Sequence, residues 1–107
     1  MDVDLLLSDA LSMPIITAFI EGFTEAGLDR NVKIFADITD YHAHVDSVVR
    51  LSEEANVQLT ALYHLVPPPQ NAIMSAIFTR GLPSNVMLSE DRMWFRLAVG
   101  SSEIDVD

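Results

Sequence analysis

The stretch Val57-Gln58-Leu59-Thr60-Ala61-Leu62-Tyr63-His64-Leu65-Val66, closed by Pro67-Pro68-Pro69, constrains the fold more than any other segment. Its second half is almost unbroken in apolar residues, which suits a central strand covered on both faces. Three consecutive prolines offer no amide donors and cannot extend a hydrogen-bonded ladder. The sequence therefore predicts a strand through the middle of a sheet, ending hard at residue 66.

The flanking segments can be placed around that strand. Residues 2–12 form a short apolar-acidic stretch that reads as one or two helical turns. Ser12 followed by Pro14 is a helix start, a hydroxyl cap with proline in the first turn. Ile16, Phe19, Ile20 and Phe23 then fall on one helical face, and Gly27 stands where a C-terminal glycine belongs. Asn31 to Ile38 is β-branched and aromatic, which predicts a strand. Thr39 or Asp40 is expected to cap a second helix through Ala55, with Tyr41, Val45, Val48, Val49 and Ser52 inward. A third helix is expected over Gln70–Arg80, with Ile73, Met74, Ile77 and Phe78 inward. Asn85–Leu88 and Met93–Val99 flank Ser89-Glu90-Asp91-Arg92 in a hairpin pattern. Ser101–Asp107 reads as a frayed acidic tail.

The expected class is thus α/β: one small mixed four-stranded sheet with helices on both faces, in the order α-β-α-β-α-β-β. A chain of 107 residues is one domain. It divides into an N-terminal helical segment (1–27), an α/β core (31–100) and the acidic tail (101–107).

This order resembles the thioredoxin-like fold over residues 31–100. Gly81-Leu82-Pro83 before Val86-Met87-Leu88 is similar to that family's apolar-proline step, where a cis proline opens the third strand. Arg96-Leu97-Ala98-Val99-Gly100 looks like its fourth strand ending in glycine. The redox motif would fall near Tyr41-His42-Ala43-His44, which holds no cysteine, and the usual C-terminal helix is missing. The resemblance implies a redox-inactive module.

Composition narrows the partners. Sixteen carboxylates face six basic side chains, one of them a lysine, for a formal charge of −10, while half of the residues are hydrophobic. Such a charge repels phosphate backbones and anionic bilayers, so neither nucleic acid nor membrane is an expected partner. It keeps an apolar chain soluble, and it also fits a high-salt habitat. Without cysteine there is no disulfide, thiolate metal site or thiol chemistry. The acidic N-terminus and the lack of a bilayer-length apolar run point to a cytoplasmic protein.

One cluster carries ligand chemistry: Asp37, Asp40, His42, His44 and Asp46. Imidazole and carboxylate bind zinc and related ions, which makes His42, His44 and Asp46 a candidate metal set. On a helix His42 and Asp46 share a face, whereas His42 and His44 do not. The competing reading is helix-capping acids beside surface histidines. His64 joins the cluster only if its strand register allows. The same histidines, with Tyr41, Tyr63 and Arg80, would suit acid–base work. Trp94 and Arg96 form an interface anchor pair if their strand is an edge, and ordinary packing if it is central.

No catalytic set or phosphate-cradling glycine loop accompanies these residues, and no cofactor is expected. The leading expectation is a protein-interaction or assembly module, self-associating as a homo-oligomer such as a homodimer. The alternative is a metal-dependent enzyme or sensor using residues 37–46.

Overall fold

The structure is a computed structural model that describes residues 3–101 and 103–107. Met1, Asp2 and Ser102 lie outside the described residues. The chain opens with strand β1 (Val3–Leu11), then helices α1 (Met13–Glu25), α2 (Asp29–Ile38) and α3 (Val45–Glu54). Strand β2 (Val57–Val66), helix α4 (Ala72–Thr79) and three short strands follow: β3 (Val86–Leu88), β4 (Phe95–Leu97) and β5 (Ile104–Val106).

The class is α/β, as expected, but the sheet differs from the expected one. β1, β2 and β3 form a three-stranded parallel sheet in that order, while β4 and β5 make a separate antiparallel pair. The predicted hairpin between 85–88 and 93–99 is not formed. Ser89 N–H instead donates to the Leu62 carbonyl, tying the end of β3 to β2, and Phe95–Leu97 pairs with Ile104–Val106. The supposed tail thus supplies a strand.

Two further segments reverse their expected types. Residues 3–11 are a strand because they pair along their length with β2, which places Leu6 on the helix side of the sheet and Leu5 and Leu7 on the other. Residues 31–38 belong to a helix. Phe35 meets Phe19 edge-on at 5.6 Å and Phe23 at 5.2 Å, a pairing that needs helical spacing on α1. Lys33 Nζ reaches Asp37 Oδ2 at 3.1 Å, an i,i+4 pair that also belongs to a helix.

α1 starts and stops where expected, with Pro14 in the first turn and Gly27 at φ 72° after its end. Ser12 holds the cap position, but its hydroxyl makes no capping bond. α3 begins at Val45 rather than at residue 39 or 40. Thr39 ends α2, and His44 occupies the α3 cap position in an extended conformation. Tyr41, placed inward by the sequence, is exposed in the connecting loop. α4 buries Phe78 and packs Met74 and Ile77 against the core, but it leaves Ile73 exposed. The cis peptide lies at Val66–Pro67, not at Leu82–Pro83.

β2 is the middle strand, as predicted from its composition. The register sets which side chains share a face. Leu6, Thr60 and Val86 are level, as are Ser8, Leu62 and Leu88. This face carries Leu62, Val86 and Ala10 into the core with Ile15 of α1, Val48 of α3 and Phe78 of α4. All three sheet-packed helices therefore lie on one side. The order β1-β2-β3 dictates this, since right-handed crossovers stepping in one direction leave every helix on the same face.

Candidate functional site

The opposite face of the sheet follows from the same register. Leu5 pairs with Leu59, Leu7 with Ala61 and Ala61 with Met87, and Asp9 with Tyr63. None of these residues belongs to the helix-packed core. Leu7 is 54% and Tyr63 50% exposed, and Leu5, Leu59 and Met87 are each only partly buried, while Ala61 between them is fully buried. Alternation along the strands thus presents an apolar surface on the side without α1, α3 and α4. Covering of both faces, expected from the apolar content of β2, is complete on the helix face and only partial on this one, where Val57 and Ala61 are buried and Leu7 and Tyr63 are not. Parallel sheets otherwise occur almost only with both faces covered.

A histidine–carboxylate cluster stands at the C-terminal end of this face. The register of β1 and β2 shifts between Asp9 and Ala10: Asp9 pairs with Tyr63, but Ala10 pairs with Leu65. His64 is the extra residue, a bulge with φ 46°. The bulge lets Leu62 and Leu65, three residues apart, both pack toward the helices. A left-handed conformation at a non-glycine residue costs about 1–2 kcal/mol. Burial of Leu65 helps offset it.

His42 arrives from the α2–α3 loop. Leu11 N–H donates to the Ala43 carbonyl at 2.7 Å, and Leu11 and His44 form a parallel bridge, so residues 42–44 run beside the end of β1. This brings His42 Nδ1–H to Asp9 Oδ2 at 3.0 Å, with both side chains partly buried. The His42 ring stacks on His64, centroids 5.5 Å apart and planes at 30°. One ligand atom from each of Asp9, His42 and His64 lies within 4.8 Å of the others. Beyond His64, an open depression is lined by Tyr63, Ser89, Glu90, Asp91 and Arg92.

The predicted set His42, His44 and Asp46 is separated. His44 Nε2–H donates to the Thr39 carbonyl at 2.8 Å, closing the loop on itself. His44 and Asp46 instead line a cavity of about 180 Å³ with Ser12, Ser47 and Arg80. Asp46 is exposed in the first turn of α3. Asp37 pairs with Lys33 on α2. Asp9 was missed because residues 2–12 read as helix, and His64 joined only because of a bulge that no local residue pattern announces.

Trp94 and Arg96 sit on the separate β-pair. Trp94 is largely exposed, and its backbone exchanges two hydrogen bonds with Asp107. The Arg96 guanidinium binds the Asp107 carboxylate at 2.6 Å. Tyr41 and Arg80 do not join the Asp9 cluster. Among the described residues, no helix is long and apolar enough to cross a membrane. The chain matches no protein-family model and no curated protein.

Proposed function

We propose that this protein is an assembly module that self-associates through the open face of its parallel sheet. The single observation behind this reading is the row Leu5, Leu7, Leu59 and Met87, exposed or partly exposed around the fully buried Ala61, on the face opposite the helices. A contiguous exposed apolar surface on a small domain marks an interaction site. A second copy is the occupant that the charge favours. Two chains of formal charge −10 repel wherever their carboxylates meet. On this face the central residues carry no charge, Asp9 at its end is engaged by His42, and Glu90 and Asp91 stand beyond it beside Tyr63 and His64. Two copies can therefore meet there with their acidic surfaces outward, each presenting the same patch about a two-fold axis.

The reading does not lean on the thioredoxin-like resemblance. Neither the order α-β-α-β-α-β-β nor the hairpin expected between residues 85–88 and 93–99 is present among the described residues. Trp94 and Arg96 stand on the other sheet and take no part in it.

Sedimentation equilibrium over a range of protein concentrations, at low and at moderate salt, tests the proposal. The wild type is expected to associate, and more strongly as salt screens the like charges. Leu7→Glu places a carboxylate in the patch at an already exposed position, so the fold survives while the dissociation constant rises at least about tenfold, or roughly 1.4 kcal/mol. A wild type that stays monomeric at every concentration and salt, or a Leu7→Glu variant that associates equally well, overturns it.

A further inference from the structure

We infer that Asp9, His42 and His64 form a binding site for a divalent first-row transition ion, independent of self-association. The three side chains come from three separate elements: β1, the α2–α3 loop and the bulge of β2. Two imidazoles and one carboxylate suit zinc, iron(II) or nickel, and a set of this kind leaves coordination positions open.

The spacing fits a shared ion. His42 Nδ1 and Asp9 Oδ2 are 3.0 Å apart. Two ligands at the tetrahedral angle on an ion with bonds of about 2.1 Å would stand about 3.4 Å apart, so the pair need open by only about 0.4 Å to share one. The His64 ligand atom lies within 4.8 Å of the other two. Its side chain is exposed, so it is free to turn inward without disturbing the core. The backbone is already fixed on both sides of the site, by the Leu11–Ala43 hydrogen bond and by the pairing of Ala10 with Leu65. Glu90 and Asp91, which line the depression beside His64 together with Arg92, leave it one negative charge that helps concentrate cations.

Binding requires a defined proton movement. In the free protein the Nδ1 proton of His42 lies between the ring and Asp9. When the ion takes that place, the proton passes through solvent to Nε2, and the imidazole remains neutral with its tautomer reversed. Affinity must therefore fall in acid, where imidazoles hold a second proton and cannot ligate.

Titration of the metal-stripped full chain with zinc chloride, followed by calorimetry, tests the site. The expected result is one equivalent bound at micromolar affinity, weakened about tenfold or more in His42→Ala and in His64→Asn, and unchanged in His44→Ala. Asparagine tolerates the left-handed conformation at residue 64, so that variant removes the imidazole and keeps the bulge. Magnesium chloride should give no saturable heat, because imidazole does not suit that ion. Absence of zinc binding, equal binding by the His42 and His64 variants, or equal binding of magnesium overturns the inference. Should either variant unfold by circular dichroism, ring-nitrogen spectra of the wild type decide. One equivalent of zinc must shift the His42 and His64 nitrogens, with His42 changing tautomer, while His44 stays in place. A shift confined to His44, or none, is equally fatal to it.

Discussion

On the helix side of the sheet, Ala10 and Leu62 have no solvent exposure, whereas on the opposite side Leu7 is half exposed, although Ala61, level with it, is buried. Both faces are built from the same strands and are similarly apolar. What separates them is the order β1-β2-β3, which sends every crossover to one side. Apolar content in a strand therefore reports how much surface can be covered, while topology decides which part is covered within one chain.

The sharpest way to break this contrast is to truncate a side chain on each face and compare the costs. Phe78, which is 1% exposed and packed against Leu62 and Val86, anchors the closed face. Phe78→Ala should destabilise the protein by about 3–5 kcal/mol in urea unfolding, since it leaves a cavity that the helices cannot collapse into. Thr60 sharpens the same comparison with the opposite sign. It lies fully buried on the helix face, and its hydroxyl has no hydrogen-bond partner among the described residues. Thr60→Val removes an unpaired buried polar atom at constant shape, and a gain of about 1 kcal/mol is expected in the same unfolding measurement. Leu7→Ala on the open face should cost no more than about 0.5 kcal/mol at concentrations where the protein is monomeric, as surface truncations do. If Leu7→Ala proves as costly as Phe78→Ala, the two faces are equally covered and the contrast fails.

Parts of this architecture were legible in the residues. β2 was readable because the apolar run and the proline triplet act locally, one on burial and the other on hydrogen bonding. α1 was readable because Pro14, the Ile16–Phe23 face and Gly27 agree with one another. The failures came where local preference and tertiary context disagree. Val32, Ile34, Phe35 and Ile38 favour a strand by propensity, yet the partners of Phe35 are the Phe19 and Phe23 rings of a helix. The i,i+4 spacing of Lys33 and Asp37 was the local sign of a helix there. In β1 the acids at 4 and 9 broke the apolar run and disguised a strand that pairs along its length with β2.

The candidate site shows the same limit. His42 was identified from its residue type and its acidic neighbours, which are local properties. Its partners Asp9 and His64 are distant in sequence and meet only through the parallel register and its one-residue shift. His44, two residues from His42, is turned to the Thr39 carbonyl because it enters α3 in an extended conformation. Adjacency in sequence was a poor guide to adjacency in space.

α2 has a consequence of its own. It contributes no fully buried residue, and its ring contacts are those of Phe35 with Phe19 and Phe23 of α1. A segment so lightly attached opens by itself, without waiting for the rest of the protein to unfold. Its amides should exchange with deuterium well before those of β2, so that residues 29–38 loosen as one detachable flap while the strands keep their protection.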